Sequence, residues 1–471
     1  MLENLFPLIK HKINKIIILL LVFIIFASPR PIYAQSDEQV YIVQPGDTLN
    51  VIALRFGISS DDIINANQIE DPNLLSEGMR LVIPGLKIGP GILSTETVPL
   101  GTSFQTLSRQ YQVPADLLAQ INRLTTPSEF FAGSNIIIPI DAANVLPQNR
   151  FNLPDNTTFL EFTLAQNVNP WTINLVNGIN FDTNSIPGET LFTFETNENP
   201  TSAYVSQFIK SIEIDVLPLV QGNTEIIKIT TTEPIQFSGQ LAGKPLSFFS
   251  ETENSYYAIQ GIHAMADAGL ADFNLVGVTS SGSTVRFNQL VLLQSGFYPS
   301  DPSLGVDPAT IDSAITKPED DLVLSYTSQI TPIKYWNGPF QLPVDEPYCI
   351  KSYFGNRRDY NNGALLSFHG GVDFGVCATL NIYSPADGTV VFSGPLTVRG
   401  NATIIDHGQG IFSGIWHQAE SYAQAGDQVK QGDLIGIIGA TGRVTGPHLH
   451  WEIWANGVQI NPLPWLENSY P

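Results

Sequence analysis

Gly446-Pro447-His448-Leu449-His450-Trp451-Glu452, near the end of the chain, is the motif around which the C-terminal segment is organised. Its two histidines are two residues apart, and alternate side chains of a strand share a face, so both imidazoles can point at one spot. With 7 histidines in 471 residues, chance predicts only about 0.1 His-x-His pairs. We therefore interpret the stretch as a strand whose two imidazoles can hold a metal.

Two other parts of the C-terminal segment supply further candidate ligands. His369 and Asp373 place an imidazole and a carboxylate four residues apart, and His417 lies between the two clusters. The surrounding sequence is rich in Gly, Val and Ile, which favours an antiparallel sheet that can bring ligands from separate strands together. The expected strands cover residues 389–393, 402–406, 411–416, 433–438 and 449–454.

The chemistry of these side chains points to zinc. Two imidazoles and a carboxylate suit zinc with a fourth position open for water. Such a site lowers the pKa of water and stabilises the oxyanion formed when hydroxide attacks an amide. Spare histidines beside the metal can carry the proton, because imidazole titrates near neutral pH.

Residues 352–466 resemble the lysostaphin and LytM type of zinc endopeptidases, which cut the peptide part of bacterial cell walls. The resemblance rests on His-x-x-x-Asp, a single histidine at the end of a strand, and His-Leu-His. It implies the zinc ligands His369, Asp373 and His450 and the catalytic, non-ligand pair His417 and His448. The surroundings of His417, Gly-Ile-Trp-His-Gln, depart from the more usual Tyr-Gly-His-Leu, which affects the expected substrate contacts more than the histidine's role.

The remaining polar candidates are interpreted as structural. His407 is expected at a strand-ending turn, oriented by Asp406, and His263 stands alone in a β-rich region. Trp451 and Glu452 are expected to alternate away from the metal along the strand, with packing and surface or supporting roles.

The two cysteines, Cys349 and Cys377, both lie in the segment that carries the histidines. In an oxidising compartment we expect them to form one disulfide, with two buried free thiols as the alternative. Neither belongs to a Cys-x-x-Cys motif, so metal binding by the pair is not expected.

The N-terminal sequence and the net charge indicate export. Residues 1–34 combine three lysines, an apolar run at 16–27 and a small residue before a cut ahead of Gln35, which predicts a signal peptide, with an uncleaved N-terminal anchor as the alternative. The chain is thus expected to be secreted or cell-wall associated. Its formal net charge of −22 argues against nucleic acid or anionic lipid as a partner.

Residues 39–85 predict the order strand, helix, helix, strand. A short apolar strand ends at a turn made by Gln44-Pro45-Gly46-Asp47-Thr48, and Thr48 is expected to cap the first helix. Equivalent residues recur 55 positions later and, more faintly, 110 positions later, which marks an internal repeat. The best-kept positions are Asn67, Asn122 and Asn177, and Gly78, Gly133 and Gly188.

The first copy resembles the LysM domain, a family that binds N-acetylglucosamine-containing glycans such as peptidoglycan. The resemblance places glycan binding at Gly46, Asp47 and Thr48. The second copy, residues 94–140, has lost Asp-Thr, and the degenerate third copy, 150–195, has also lost the glycine. Both are therefore interpreted either as weaker sugar binders or as spacers.

Between the repeats and the histidines, residues 210–296 alternate in short β-type runs that predict a small β-sandwich spacer. Residues 297–346 contain seven prolines and predict a linker, with a short helix at 308–315 capped by Asp307. The peptidase-like segment follows at 347–467.

The sequence thus predicts a multidomain α+β chain: βααβ LysM repeats, a small β-sandwich and a mainly antiparallel β peptidase domain. The expected function is a zinc metalloendopeptidase that cleaves peptide cross-links or stem peptides of peptidoglycan, with one zinc ion, while the LysM repeats hold the wall glycan. The alternative is a catalytically inactive wall-binding protein that regulates another hydrolase.

Overall fold

The structure is a computed structural model. It describes residues 39–86, 92–126, 129–140, 146–147, 149–153, 157–166, 168–179, 188–194 and 208–471. The expected export signal at 1–34 lies outside the described residues. The first compact unit lies within Met1–Ser94 and Pro139–Asn144, and the second within Thr95–Ile138 and Val145–Pro471. None of the helices in these stretches is long and apolar enough to cross a membrane.

The first unit contains a strand–helix–helix–strand fold. Its elements are β1 (Gln39–Ile42), α1 (Leu49–Phe56), α2 (Ser60–Asn67) and β2 (Arg80–Ile83). Thr48 caps α1 by accepting a hydrogen bond from the Val51 backbone N–H at 3.2 Å. Strands β1 and β2 pair antiparallel, and Tyr41, Ile52 and Leu81 are fully buried between strands and helices.

Two more copies of this element order follow. The second has β3 (Ile92–Thr97), α3 (Phe104–Gln110), α4 (Ala115–Ile121) and β4 (Asn135–Ile140). The third has β5 (Asn149–Asn152), α5 (Phe159–Ala165), α6 (Pro170–Val176) and β6 (Thr190–Thr193).

One asparagine makes the same three bonds in every copy. The Asn67 amide donates to the carbonyls of Ile63 and Val82, and its oxygen accepts from the Val82 N–H at 2.7 Å. Asn122 and Asn177 bond their own second helix and last strand in the same way. The asparagine therefore satisfies backbone groups at the end of the second helix and joins that helix to the last strand.

Residues 209–294 form two sheets with a shared core. The strands are β7 (Ile209–Ile214), β8 (Leu219–Val220), β9 (Thr224–Thr231), β10 (Ile235–Leu241), β11 (Lys244–Pro245), β12 (Phe249–Thr252), β13 (Ser255–Gly261), β14 (Gly269–Thr279) and β15 (Thr284–Gln294). One sheet has the order β11-β10-β14-β15-β8 and the other β12-β13-β9-β7. Ile227 and Ile229 of one sheet pack in a common cluster with Phe273 and Leu275 of the other.

The proline-rich stretch that follows contains more helix than we expected. A 3-10 turn at Pro308–Ile311 is followed by α7 (Ser313–Thr327), in place of a short helix at 308–315. Asp312 caps α7, and Pro318 lies inside it. Proline cannot donate a backbone hydrogen bond within a helix, but tertiary contacts outweigh this loss in α7. Val323 of α7 is buried against the C-terminal domain, in a hydrophobic cluster with Trp416.

The C-terminal domain is built mainly of antiparallel strands. These are β16 (Ile350–Ser352), β17 (Arg357–Tyr360), β18 (Leu365–Phe368), β19 (Val372–Gly375), β20 (Asn381–Tyr383), β21 (Gly388–Leu396), β22 (Gly400–Gly408), β23 (Ile411–Ser421), β24 (Gln428–Val429), β25 (Leu434–Ile438), β26 (His448–Ala455) and β27 (Val458–Ile460), followed by a 3-10 turn at Leu463–Leu466. The main sheet has the order β16-β19-β26-β23-β22-β21-β24. A disulfide joins Cys349 to Cys377, with Cα atoms 6.0 Å apart.

Candidate metal centre

Two neighbouring strands and the loop before one of them bring His369, Asp373 and His450 together. In the antiparallel register of β19 and β26, Asp373 lies opposite His450. His369 precedes β19 and approaches from four residues upstream. One nitrogen or oxygen atom from each of the three residues lies within 4.8 Å of the others.

Hydrogen bonds to neighbouring groups turn one ring nitrogen of each histidine toward the other. His369 bonds the Tyr353 carbonyl through Nδ1 at 2.8 Å, so Nδ1 carries the proton and Nε2 is free. His450 bonds Glu452 through Nε2 at 3.0 Å, so its Nδ1 is the nitrogen that faces His369. His369 Nε2 and His450 Nδ1 lie 2.9 Å apart, and Asp373 Oδ1 lies 3.0 and 2.8 Å from them. Three such acceptors at this distance fit a cation between them, and the donor set is one that zinc prefers.

The shifted pKa values of His450 and Asp373 also indicate that this centre stabilises a positive charge. Burial lowers the pKa of His450, but its hydrogen bonds to Asp373 and Glu452 outweigh burial and raise it to about 9. Burial also raises the pKa of Asp373, yet hydrogen bonds from His369 and His450 hold it well below its ordinary value. A proton or a metal ion can supply the positive charge that the centre favours.

Arg358 orients the second oxygen of the carboxylate. Its Nη2 lies 3.3 Å from Asp373 Oδ2 and donates to Ser352 Oγ at 2.8 Å, while Nε forms an ion pair with Asp301 at 3.2 Å. Arg358 therefore leaves Oδ1 of Asp373 for the cation. Arg358 was not predicted from the sequence, because nothing in the local pattern separates it from the neighbouring arginine.

Glu452 supports His450, and our expectation that it alternates away from the metal was wrong. Residues 450 and 452 are two apart on β26 and therefore share a face. Glu452 is buried and accepts from Trp454 Nε1 at 2.9 Å in addition to its bond with His450. The hydrogen bond from His450, together with attraction to His450 and Arg399, holds the pKa of Glu452 at about 2 despite burial.

His417 and His448 lie beside His369, Asp373 and His450, and a hydrogen bond to a backbone carbonyl fixes the tautomer of each. His417 bonds the Thr441 carbonyl and His448 the Gly446 carbonyl, each through Nδ1 at 2.8 Å, so each Nε2 remains free. The two ring centroids are 4.9 Å apart, and His448 Nε2 is 3.5 Å from Asp373 Oδ1. Burial, with the nearby His450 and His448, lowers the pKa of His417 to about 3.

A bulge in β23 supports the position of His417. Three residue steps on β23, Ile415 to Gln418, oppose two on β22, Thr403 to Asn401. His417 adopts a φ of 66°, an unusual backbone conformation for a residue with a side chain. The bulge explains why a simple alternation pattern would not place this imidazole at the centre.

His407 is held by structural bonds away from the cluster. Its Nδ1 donates to the Asp387 carbonyl at 2.8 Å and its Nε2 pairs with Ser413 Oγ at 2.9 Å, while burial lowers its pKa to about 4. Asp406 does not orient it, contrary to our expectation: that carboxylate accepts from Thr331 and from the Gly408 N–H.

A cavity of about 920 Å³ opens beside the four histidines of the centre. Its walls come from the C-terminal domain, α7 and the two-sheet region, which contributes His263 and Lys244. His263, expected to be structural, accepts from the Met265 N–H at 3.1 Å and packs edge-on against Phe368.

Hydrogen bonds hold the turn of the first repeat at which we predicted glycan binding. Gly46 has a φ of 80°, which glycine adopts freely. Asp47 accepts from the Tyr41 hydroxyl at 2.6 Å and from the Gln44 N–H at 2.9 Å. These bonds, and the cap made by Thr48, give the turn a structural role.

Two imidazoles and a carboxylate on an antiparallel sheet, with two further histidines at their edge, define a metallopeptidase centre. Comparison with known proteins finds two matching domain families. Residues 367–462 match the model of Peptidase family M23, and residues 41–84 and 97–139 match the LysM domain. The chain therefore carries LysM domains followed by a C-terminal Peptidase family M23 domain.

Two curated relatives match over about a fifth to a quarter of this chain. Peptidoglycan DD-endopeptidase ShyA of Vibrio cholerae is 35% identical over 121 residues, 26% of this chain and 28% of that protein. DD-carboxypeptidase/endopeptidase Mpg of Neisseria meningitidis is 37% identical over 95 residues, 20% of this chain and 22% of that protein. The chain thus spans about a quarter of the length of these relatives. A crystal structure of a peptidase M23 from Pseudomonas aeruginosa is 25% identical, with a TM-score of 0.40, and covers 54% of this chain and 96% of that one.

Proposed function

We propose that this chain is a secreted or cell-wall-associated zinc endopeptidase that cleaves peptide cross-links or stem peptides of peptidoglycan. The observation that carries the proposal is the convergence of His369 Nε2 and His450 Nδ1, 2.9 Å apart, on Asp373 Oδ1, where a metal ion would replace the proton between them. Relatives with this domain are named peptidoglycan DD-endopeptidases, which supports the choice of substrate.

In the proposed mechanism His369, Asp373 and His450 hold one zinc ion. Zinc, when bound, supplies Lewis-acid activation of water and of the scissile carbonyl. His448 and His417 present their free Nε2 atoms to the same space, where one can take the proton of the attacking water. In its protonated form such an imidazole can donate to the oxyanion and then to the leaving amine.

The surrounding residues position this machinery. Carbonyl oxygens of Thr441 and Gly446 fix the orientation of the two catalytic imidazoles. Glu452 holds His450, and Arg358 holds Asp373, so that the ligand atoms stay convergent before substrate arrives.

The LysM repeats would hold the enzyme on its substrate. We place glycan binding in the first copy, beside Gly46, Asp47 and Thr48. Tethering raises the effective concentration of stem peptide at the active site even when each sugar contact is weak. The expected export signal at residues 1–34 remains a prediction, and it accords with action outside the cytoplasmic membrane.

Cleavage and metal content test the proposal together. The purified chain is incubated with walls from several cross-link classes, and released fragments are identified by mass spectrometry, with and without a chelator and with His450→Ala. We expect one zinc per chain in the unsubstituted protein, cleavage that chelation abolishes and zinc restores, and no cleavage by the variant. Unchanged fragments after both treatments would refute the zinc mechanism.

Wall binding is measured separately with the His450→Ala chain, which cannot degrade the wall under this proposal. We expect it to sediment with insoluble wall or chitin and to be released by soluble N-acetylglucosamine oligomers. Protein that stays in the supernatant would count against anchoring by the LysM domains.

A further inference from the structure

The cavity beside the metal centre carries more cationic than anionic side chains. Its lining includes the cations Lys244, Lys351, Arg358, Arg399 and Arg443 and the carboxylates Asp301, Asp320, Asp373 and Glu452. This balance is opposite to that of the whole chain, whose formal net charge is −22. A bound divalent cation would add to the positive side.

Every carboxylate of the cavity is already paired. Arg358 forms ion pairs with Asp301 and Asp373, as described above, and Arg399 Nη2 lies 2.9 Å from Asp320. Glu452 bonds His450. The negative charges of the lining are therefore neutralised locally and do not repel an anionic substrate strongly.

The cations without a carboxylate partner are Lys244, Lys351 and Arg443. Across the described stretches, no Asp or Glu oxygen lies within 4.0 Å of any of the three cationic groups. Among the described residues, the Arg443 guanidinium donates only to the Thr310 carbonyl, at 3.0 Å, and it lies over the Tyr360 ring. These three side chains remain able to bind negative charge on a ligand.

Both lysines are held at the cavity by their backbone. Lys244 begins β11, and Asn456 of the C-terminal domain donates to the carbonyl of the next residue, Pro245, at 2.6 Å. The stem of Lys351 packs where a side chain on Gly375 would lie, and Gly375 is the register partner of His448. Lys244 therefore comes from the two-sheet region, and Lys351 comes from β16, the neighbour of β19 in the main sheet.

We propose that this cavity selects peptides whose carboxylates are free over the same peptides with carboxamides, and that Lys244 and Lys351 are specificity-determining residues. The inference rests on the proposed function, since it names the class of stem peptide that the same site prefers. Amidation removes the negative charge with little change in shape, so it isolates the electrostatic contribution of the two lysines. The two-sheet region then takes part in substrate selection and is more than a spacer.

The expected preference follows from ordinary solvent-exposed ion pairs. Each such pair contributes about a threefold factor, so two lysines give about a tenfold preference in kcat/KM for the free-carboxylate peptide. Because the lysines are exposed, the preference should fall as salt shortens the screening length.

The test uses two cross-linked wall peptides that differ only in free or amidated carboxylates beside the cleaved bond. The full chain is compared with Lys244→Ala/Lys351→Ala and with Lys228→Ala/Lys430→Ala, a control that also removes one lysine from each region but outside the cavity. We expect the tenfold preference of the parent to shrink to about threefold or less in the first variant and to persist in the control. Equal rates on both peptides in the parent, or equal losses in both variants, would overturn the inference.

A binding measurement separates this inference from the proposed function. The chelator-treated chain is titrated with the same two peptides by calorimetry at low and high salt. Suppose that the untreated chain cleaves neither peptide, but the chelator-treated chain binds the free-carboxylate form about tenfold tighter at low salt. The proposed hydrolysis is then refuted, and the proposed charge selection stands. If neither binds, or both bind equally, charge selection is refuted whatever the activity.

Discussion

Glu225 is a buried carboxyl whose ionisation should weaken the fold as pH rises. It lies on β9 and is fully shielded from solvent. Burial and then the nearby Asp215 carboxylate raise the pKa of Glu225 to about 9, from 4.5 for an exposed glutamate. The folded chain therefore keeps this proton over a range in which the unfolded chain has released it.

The sign and size of the effect follow from this difference. A group whose folded pKa is raised binds more protons in the folded state, so stability falls as pH increases between the unfolded and folded pKa values. Each pH unit in that window costs about 1.4 kcal/mol. At pH 7.5, three units above 4.5, the loss should reach about 4 kcal/mol.

Glu225→Gln tests this directly, because a carboxamide cannot titrate. The free energy of unfolding is measured by denaturant titration between pH 5 and pH 9 for the parent, the variant and the exposed control Glu213→Gln. The stability gained by Glu225→Gln should increase by about 1.4 kcal/mol per pH unit in this range. A constant difference between variant and parent across these pH values would refute the reasoning.

Three further substitutions have defined outcomes. Asn67→Ala removes three hydrogen bonds in the first repeat and should cost it about 2–3 kcal/mol, measured as faster hydrogen exchange in residues 39–86 while later residues keep their protection. Cys349→Ser opens a loop of 28 residues and should lower the stability of the C-terminal domain by about 3–4 kcal/mol, an effect that reduction of the parent must reproduce. Glu319→Ala removes a buried acceptor of two backbone N–H groups and an ion-pair partner of Arg399. We expect the free energy of unfolding to fall by about 3 kcal/mol and the amide hydrogens of α7 to exchange before those of the rest of the chain. Uniform hydrogen exchange would contradict this.

Short-range patterns predicted that the side chains of the metal centre would come together. Period-two spacing placed His448 and His450 on one face, and the separate strands were expected to converge. The structure brings His369, Asp373 and His450 together and leaves His417 and His448 beside them. The M23 and LysM matches confirm the two resemblances.

The groups that support the centre could not be predicted in this way. Arg358 and Glu319 act through partners far away in sequence, Asp373 and Arg399, and neither local pattern nor spacing reports such pairs. Helix α7 was missed beyond residue 315 because Pro318 indicated a break, whereas packing of Val323 on the C-terminal sheet overrides that signal.

The position of α7 and the two-sheet region has a practical consequence for protein engineering. An excised fragment that begins at residue 347 would lack Asp301, Glu319 and Asp320. Of its two ion-pair partners Arg358 would keep Asp373, and Arg399 would lose both Glu319 and Asp320, in a wall of the cavity that would then face bulk water. Kinetic constants taken from such a minimal enzyme would describe a different binding surface, and inhibitor screens should keep everything from residue 208 onward.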